Sequence, residues 1–231
     1  MRRFILIDAC VAAAHFAPRT TRSRKLLDRA TNLLTGTSAE FDPQFLIPNF
    51  CIGETFAVFE KYRWGASWNP QVRRASRLTP RRFLEARTRF HDAIHNGSKL
   101  LQVDLDRYHV LCLDLIAPIN AAYRIKRDRG RKKSVSPAST YDLLLIAMSI
   151  WLQKHLGPEA FVLATADERV ALIAKRAKSG KLGSPMKAHL TEVAQGLGLT
   201  YGPAIYPTVV DLIHHNKGQL SAALPGWQPA W

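Results

Sequence analysis

Cysteine is scarce in this sequence, and the spacing of the few thiols excludes two classes of protein. Cys10, Cys51 and Cys112 are the three cysteines among 231 residues, and no two of them form a Cys-x-x-Cys motif. Disulfide-rich secreted folds and structural zinc sites need more thiols at closer spacing. Each cysteine lies in apolar sequence, so we expect free, buried thiols in a reducing compartment.

Long apolar runs are also missing. No stretch approaches the roughly 20 apolar residues that a membrane-spanning helix needs. The N-terminal Met1-Arg2-Arg3 places charge before an apolar segment, but that segment reaches Asp8 after four residues. It is too short for the core of a signal peptide. We therefore expect a cytoplasmic protein without membrane association.

Acidic residues are few beside the basic ones. Lys and Arg number 33 against 18 Asp and Glu, which gives a net charge of +15. Lys61 to Arg89 holds nine basic residues and one acid, and Arg124 to Lys133 holds seven and one. Such basic stretches suit a polyanion, most often nucleic acid, with a solubilising face or an anionic membrane contact as alternatives. The candidate nucleic-acid-binding residues are Arg73, Arg74, Arg77, Arg81, Arg82, Arg127, Arg129, Arg131, Lys132 and Lys133.

Short apolar runs alternate with helical periodicity along the chain, which indicates an α/β fold. The runs predict strands over 4–7, 45–47, 100–103, 161–163 and 204–206, with a further candidate at 200–201. The periodicity predicts helices over 11–17, 23–34, 51–62, 80–94, 139–155, 167–178, 186–197 and 209–214, and a helix over 105–123 that Pro118 should break or kink. We expect one domain over 1–215 with a basic helical and loop insertion at about 63–134, including a polar loop over 124–136. A tail over 216–231 should lie over the surface.

Four carboxylates have equivalent local positions. Asp8 and Asp167 each follow a predicted buried strand and precede a helix, Glu54 lies near the start of the helix after the second strand, and Asp142 lies in the first turn of the most apolar helix. If the strands are parallel, all four acids point to one end of the sheet. Each acid also has a simpler interpretation as a helix cap or a favourable first-turn charge, and Ser139-x-x-Asp142 is a candidate capping box.

The set of acids points to a hard divalent cation. Clustered carboxylates repel each other in a dry cleft, and a cation such as Mg²⁺ removes that cost with oxygen ligands and retained waters. His91-x-x-x-His95 has a spacing suited to a softer metal, but it ends a basic helix without an obvious third ligand, so we interpret it as a solvated pair. Trp64 and Trp68 lie beside the first basic stretch, where they either stack on unpaired bases or pack in the fold.

The acids and their surroundings resemble the pattern of the PIN-domain nucleases. The resemblance covers about residues 2–207 and rests on an apolar strand ending at Asp8, then Glu54, Ser139-x-x-Asp142 and Thr165-x-Asp167. It departs from the family at Cys10, where members often have a polar residue, commonly Asn, and in its extra length, which falls mainly between residues 62 and 134.

The resemblance implies a three-layer α/β/α fold with a central, mostly parallel sheet. It also implies that Asp8, Glu54, Asp142 and Asp167 are catalytic and bind Mg²⁺ or Mn²⁺, with Thr165 as a supporting hydroxyl. The implied activity is hydrolysis of phosphodiester bonds, in RNA more often than in DNA. Because many small bacterial members are toxins, an antitoxin protein is a candidate partner, as is a second copy of the chain. We therefore expect a metal-dependent endoribonuclease; the alternative is a non-catalytic nucleic-acid-binding or scaffold protein on the same fold.

Overall fold

The computed structural model describes residues 2–18, 23–65, 77–97, 99–129, 138–228 and 231, with the backbone alone over 124–129. The chain divides into two compact units, which are described separately. The first unit comprises Met1–Asp104 and Leu212–Trp231, and the second unit comprises Leu105–Asp211. The first unit is therefore built from both ends of the sequence.

The first unit contains three parallel strands with helices packed on them. Its elements are β1 (Arg2–Ile7), α1 (Ala9–Phe16), α2 (Arg24–Thr35), β2 (Thr37–Ser38), β3 (Asp42–Pro48), α3 (Asn49–Trp64), α4 (Pro80–His95), β4 (Leu100–Val103), α10 (Lys217–Ala223) and β7 (Trp227–Gln228). Strand β3 lies between β1 and β4 and is parallel to both, with Phe45 opposite Ile5 on one side and opposite Leu100 on the other. The two-residue strands β2 and β7 form a separate antiparallel pair.

The second unit contains two parallel strands and its own helices. Its elements are α5 (Arg107–Leu111), a 3-10 turn at Cys112–Leu115, α6 (Ala117–Arg129), α7 (Thr140–Leu156), β5 (Phe161–Thr165), α8 (Glu168–Lys178), α9 (Ser184–Gly196), a 3-10 turn at Pro203–Ile205 and β6 (Thr208–Asp211). Strands β5 and β6 pair in parallel, with Leu163 opposite Val209. Helices α7 and α8 pack on β5, and α8 also packs on β6.

Burial explains why the apolar runs form strands. The side chains of Ile5, Leu6 and Ile7 at the end of β1 are fully buried, and every residue of β5 is buried. Strands covered on both faces are expected to be continuously apolar, as parallel strands are. The predicted α/β class, with parallel strands flanked by helices, is therefore confirmed.

Aromatic packing holds the helices of the first unit together. Phe90 of α4 lies in the middle of a cluster, with ring centroids 5.1 Å from Phe16, 5.1 Å from Phe56 and 5.8 Å from Phe59. These tilted and edge-to-face arrangements are the favoured geometries for aromatic rings. The cluster fixes α1, α3 and α4 relative to one another, and two of these helices carry acids predicted for the site.

The C-terminal segment is packed into the first unit, although the sequence predicted a surface tail. The indole Nε1 of Trp227 donates to the backbone carbonyl of Asn32 at 3.0 Å, and both Trp227 and Trp231 are buried. Gly36 permits this approach, because a Cβ atom there would lie 2.4 Å from the Trp227 Nε1 atom. The segment thus contributes to the core of the unit.

Several local predictions in the second unit are wrong. The segment 204–206 is not a strand but overlaps a 3-10 turn, 200–201 is not in a strand, and the start of the predicted helix 209–214 is instead part of β6. Thr208, Val209 and Val210 are consecutive β-branched residues, which favours a strand. The result matters for function because β6 ends at Asp211.

The basic connection differs from expectation, whereas the predicted break of the helix near Pro118 is confirmed. Helix α6 continues to Arg129, so the first half of the predicted loop 124–136 is helical. The helical stretch before α6 ends at Leu115, and Pro118 lies in the first turn of α6, where a missing N–H costs no hydrogen bond. Among the helices within the described ranges, none is long and apolar enough to cross a membrane.

Candidate active site

Asp8 lies where strand β1 ends and helix α1 begins, as predicted. Its backbone is extended and its Oδ1 atom accepts a hydrogen bond from the Val11 N–H at 2.8 Å, so the side chain caps α1. Only 4% of the residue is exposed. Asp8 is therefore a buried carboxylate that caps a helix at the carboxyl end of β1.

Besides burial, the charges of Asp8 and Glu54 both raise the pKa of the same thiol, that of Cys51. Glu54 lies in the second turn of α3 and is partly buried, and α3 packs against α1. Burial, followed by the negative charges of Asp8 and Glu54, raises the pKa of the Cys51 thiol well above its usual range. Cys51 therefore stays a neutral thiol.

The other two thiols differ from each other in burial. All three cysteines are free, and Cys112 is buried like Cys51. Cys10 is exposed on the first turn of α1, so the prediction that every thiol is buried is wrong for this residue. The first turn of a helix faces solvent on one side, and Cys10 lies on that side.

Asp167 occupies in the second unit the position that Asp8 occupies in the first. It follows β5 and caps α8, with Oδ1 accepting from the Arg169 N–H at 2.8 Å. The Thr165 hydroxyl oxygen accepts from the Asp167 N–H at 2.9 Å, which fixes the turn between strand and helix. Burial would raise the pKa of Asp167, but the hydrogen bonds and charge of Arg169 outweigh it and lower the pKa.

Asp142 and Asp167 both contact the guanidinium of Arg169. The Asp142 Oδ2 atom accepts from the Ser139 N–H at 2.6 Å, and the Ser139 hydroxyl accepts from the Asp142 N–H at 3.2 Å, so the predicted capping box of α7 is present. The Arg169 Nη2 atom lies 3.5 Å from Asp142 Oδ2 and 2.5 Å from Asp167 Oδ2. One guanidinium therefore joins the two acids.

Asp211 is an acid that the sequence analysis missed. It ends β6, pairs in register with Thr165 of β5, and is 5% exposed. Because Thr165 immediately precedes the turn to Asp167, Asp211 lies beside the same strand end. The run Val209-Val210-Asp211 repeats the pattern of a buried strand followed by an acid, and that signal could have identified it.

The donor set fits a hard divalent cation in part. In the portion of the chain that the structure describes, no three His, Cys, Asp or Glu side chains form a group that could hold a metal ion. Mg²⁺, however, commonly uses one or two carboxylates, with waters and substrate phosphates completing its shell. The pair of Asp142 and Asp167 meets that need, and the guanidinium of Arg169 shows that the space between them accepts positive charge.

The predicted nucleic-acid contacts are only partly within the described residues. Arg77, Arg81 and Arg82 are exposed at or just before the start of α4, and Arg81 forms an ion pair with Glu85 at 2.8 Å. Arg73, Arg74, Arg131, Lys132 and Lys133 lie outside the described residues, as do the side chains of Arg127 and Arg129.

The aromatic and histidine candidates of the first basic stretch lie at the surface. Trp64 is half exposed, its Nε1 donates to Glu60 at 2.8 Å, and Arg63 lies over its ring at 4.1 Å; Trp68 is outside the described residues. The His91 and His95 rings are exposed and stack at 5.6 Å. None of these groups contributes a third metal ligand among the described side chains.

No protein-family model matches this chain, and no curated protein matches it.

Proposed function

We propose that this protein is a metal-dependent endoribonuclease with a PIN-like, three-layer α/β/α fold. Asp8, Glu54, Asp142 and Asp167 are its metal-binding and catalytic acids, Thr165 supports them, and Mg²⁺ or Mn²⁺ is the cofactor. The observation that carries the proposal is the contact of Asp142 and Asp167 with one cationic group at the carboxyl end of β5. Ligands of open α/β proteins bind at the carboxyl ends of parallel strands.

The local geometry supports a binding role beyond capping. A carboxylate needs only one backbone N–H partner to cap a helix, and it can do so while fully exposed. Asp8 is nearly fully buried, and Asp142 and Asp167 are mostly buried while facing the same positive charge. Buried acids that converge on one cation are typical of a site built for positive charge.

The residues of the chain have separable roles in the proposed reaction. A bound divalent cation supplies Lewis acidity and lowers the pKa of a water. Asp142 and Asp167 are held ready by their helix caps, so they bind without rearranging their backbones. The exposed side chains of Arg77, Arg81 and Arg82 hold RNA phosphates, which positions the strand and carries little sequence information.

The proposal is tested by digestion of a mixed RNA pool with and without Mg²⁺, followed by mapping of the ends. We expect cleavage by the unaltered protein with Mg²⁺, and loss of cleavage in Asp142→Asn and Asp167→Asn. Asp104→Asn is the matched control, because Asp104 is exposed and accepts a hydrogen bond from the Gln102 side chain, away from the proposed acids in the sequence. Equal cleavage by all four proteins would show that the acids are not the site.

A non-catalytic RNA-binding protein is the second candidate. It is favoured by Arg169, because a guanidinium neutralises the acid pair without a metal. This candidate predicts salt-sensitive RNA binding and no cleavage under any metal condition. We also propose a cytoplasmic location, consistent with three free cysteines, and an antitoxin partner, which growth arrest on expression of the chain alone would support.

A further inference from the structure

We propose that Arg169 is an exchangeable counter-ion for the acid pair: its guanidinium neutralises Asp142 and Asp167 in the metal-free protein and leaves them when a divalent cation binds. This inference rests on the proposed function, because it needs a cation site at these acids. Arg169 acts through the charges of Asp142 and Asp167 and not on the substrate. Arg169 would thereby set how strongly the acid pair binds the metal.

Arg169 contacts the two acids unequally: its guanidinium binds Asp167 closely and approaches Asp142 at a longer distance. The guanidinium forms a fork on Asp167, with Nε at 3.0 Å from Oδ1 and Nη2 at 2.5 Å from Oδ2. Its approach to Asp142 Oδ2 is longer, at 3.5 Å, beyond a good hydrogen bond. The side chain is one third exposed (33%), so the guanidinium has a route to water.

Both acids keep their positions without the guanidinium. Asp142 is held by the Ser139 N–H at 2.6 Å, and Asp167 is held by the backbone N–H of Arg169 at 2.8 Å. The Thr165 hydroxyl fixes the Asp167 backbone. The guanidinium therefore supplies charge rather than shape, and its departure leaves two carboxylates already oriented toward the same point.

Charge balance then sets the competition. Two carboxylates and one guanidinium carry a net charge of −1, whereas a dication added to all three gives +1, and a dication with the guanidinium withdrawn gives zero. Like charges within a few ångströms repel strongly in a partly buried site. The guanidinium and the dication therefore exclude each other, and Arg169 weakens metal binding by the cost of its displacement.

The test compares the unaltered protein with Arg169→Gln. Lys175→Gln is the matched control, because Lys175 is an exposed cation on the same helix, α8. Thermal unfolding is followed in EDTA and across a Mg²⁺ titration, and Mn²⁺ affinity is measured by calorimetry. We expect Arg169→Gln to melt at a lower temperature in EDTA, to regain stability with Mg²⁺, and to bind Mn²⁺ about tenfold more tightly or better. Lys175→Gln should match the unaltered protein in all three.

A second measurement keeps the inference testable if Arg169→Gln does not fold. The ¹⁵Nε–H signal of Arg169, assigned by its loss in Arg169→Lys, is followed in the unaltered protein as Mg²⁺ is added. We expect the signal to shift and exchange faster with water at saturation. A signal that stays unchanged while the metal binds would overturn the inference, as would equal Mn²⁺ affinity in the unaltered protein and Arg169→Gln.

The two proposals fail in different ways. If the unaltered protein cleaves RNA with Mg²⁺ but Arg169→Gln binds Mn²⁺ no more tightly, the counter-ion inference is wrong and the nuclease proposal stands. If Arg169→Gln binds Mn²⁺ more tightly but neither protein cleaves RNA, the inference stands and the nuclease proposal is wrong. If neither protein binds metal, the inference is wrong.

Discussion

Asp8 has two roles in the proposed mechanism, and two substitutions separate them. The side chain caps α1 through the 2.8 Å hydrogen bond from the Val11 N–H, and its charge is buried and contributes to the raised pKa of the Cys51 thiol. Asp8→Asn keeps an oxygen for the cap and removes the charge. Asp8→Ala removes both.

Asp8→Ala and Asp8→Asn should differ from each other in stability but lose similar amounts of activity. Loss of a cap typically costs about 0.5 to 2 kcal/mol, so Asp8→Ala should be less stable by that amount. Asp8→Asn should be closer in stability to the unaltered protein than Asp8→Ala is, because it keeps an oxygen for the cap. If Asp8 stabilises a bound cation by about 3 kcal/mol, both variants lose cleavage on the order of 10²-fold.

The assay pairs denaturant unfolding with the rate of Mg²⁺-dependent RNA cleavage. Ser23→Ala is the matched control, since the Ser23 hydroxyl caps α2 by accepting from the Leu26 N–H at 3.1 Å. It should lose stability as Asp8→Ala does and keep its cleavage rate. Cleavage by Asp8→Asn at the unaltered rate would refute the reasoning and reduce Asp8 to a helix cap.

Three further predictions concern the core, acid sensitivity and RNA binding. Phe90→Ala should destabilise the protein by about 3 to 5 kcal/mol in denaturant unfolding, because Phe90 is fully buried in an aromatic cluster, whereas Leu84→Ala on the exposed face of the same helix should change stability by less than about 0.5 kcal/mol. Burial, and secondarily two nearby basic side chains, lower the pKa of His15 from 6.5 to about 4. Between these two pH values the unfolded chain binds a proton that the folded protein does not bind. The free energy of unfolding should therefore be full above pH 6.5 and fall by about 2 to 3 kcal/mol toward pH 4. The variant His15→Gln should flatten this loss, and an unchanged pH profile would show that His15 is not its source. Arg77→Ala with Arg82→Ala should weaken RNA binding and reduce its salt slope by about 0.7 per lost phosphate contact, and an unchanged slope would exclude these residues from the interface.

The strand-end acids were accessible from the sequence because their signal is local. Four apolar residues ending at Asp8, and three or four ending before Asp167, predict buried strands followed by helices, and the structure has β1–α1 and β5–α8 there. Capping chemistry then fixes each acid within a few residues of its strand. Local pattern thus determined where Asp8 and Asp167 lie.

The missed features depend on contacts between distant segments. The run at 209–214 is too short for periodicity to separate strand from helix, so Asp211 was not identified as a strand-end acid. The pairing of β2 with β7 joins residues near position 37 to residues near 228, and two-residue strands have no sequence pattern of their own. The ion pair of Arg169 with Asp142 likewise requires the packing of α7 on α8.

The discontinuous first unit has a consequence for biosynthesis. Trp227 bonds to Asn32 across 195 positions of sequence, so α2 is made long before this partner. A ribosome completes the N-terminal portion first, at about 5 to 20 residues per second. The segment around Asn32 must therefore wait, with an apolar surface uncovered, until Trp227 has been made, and chaperone capture of nascent chains should fall when Trp227 emerges.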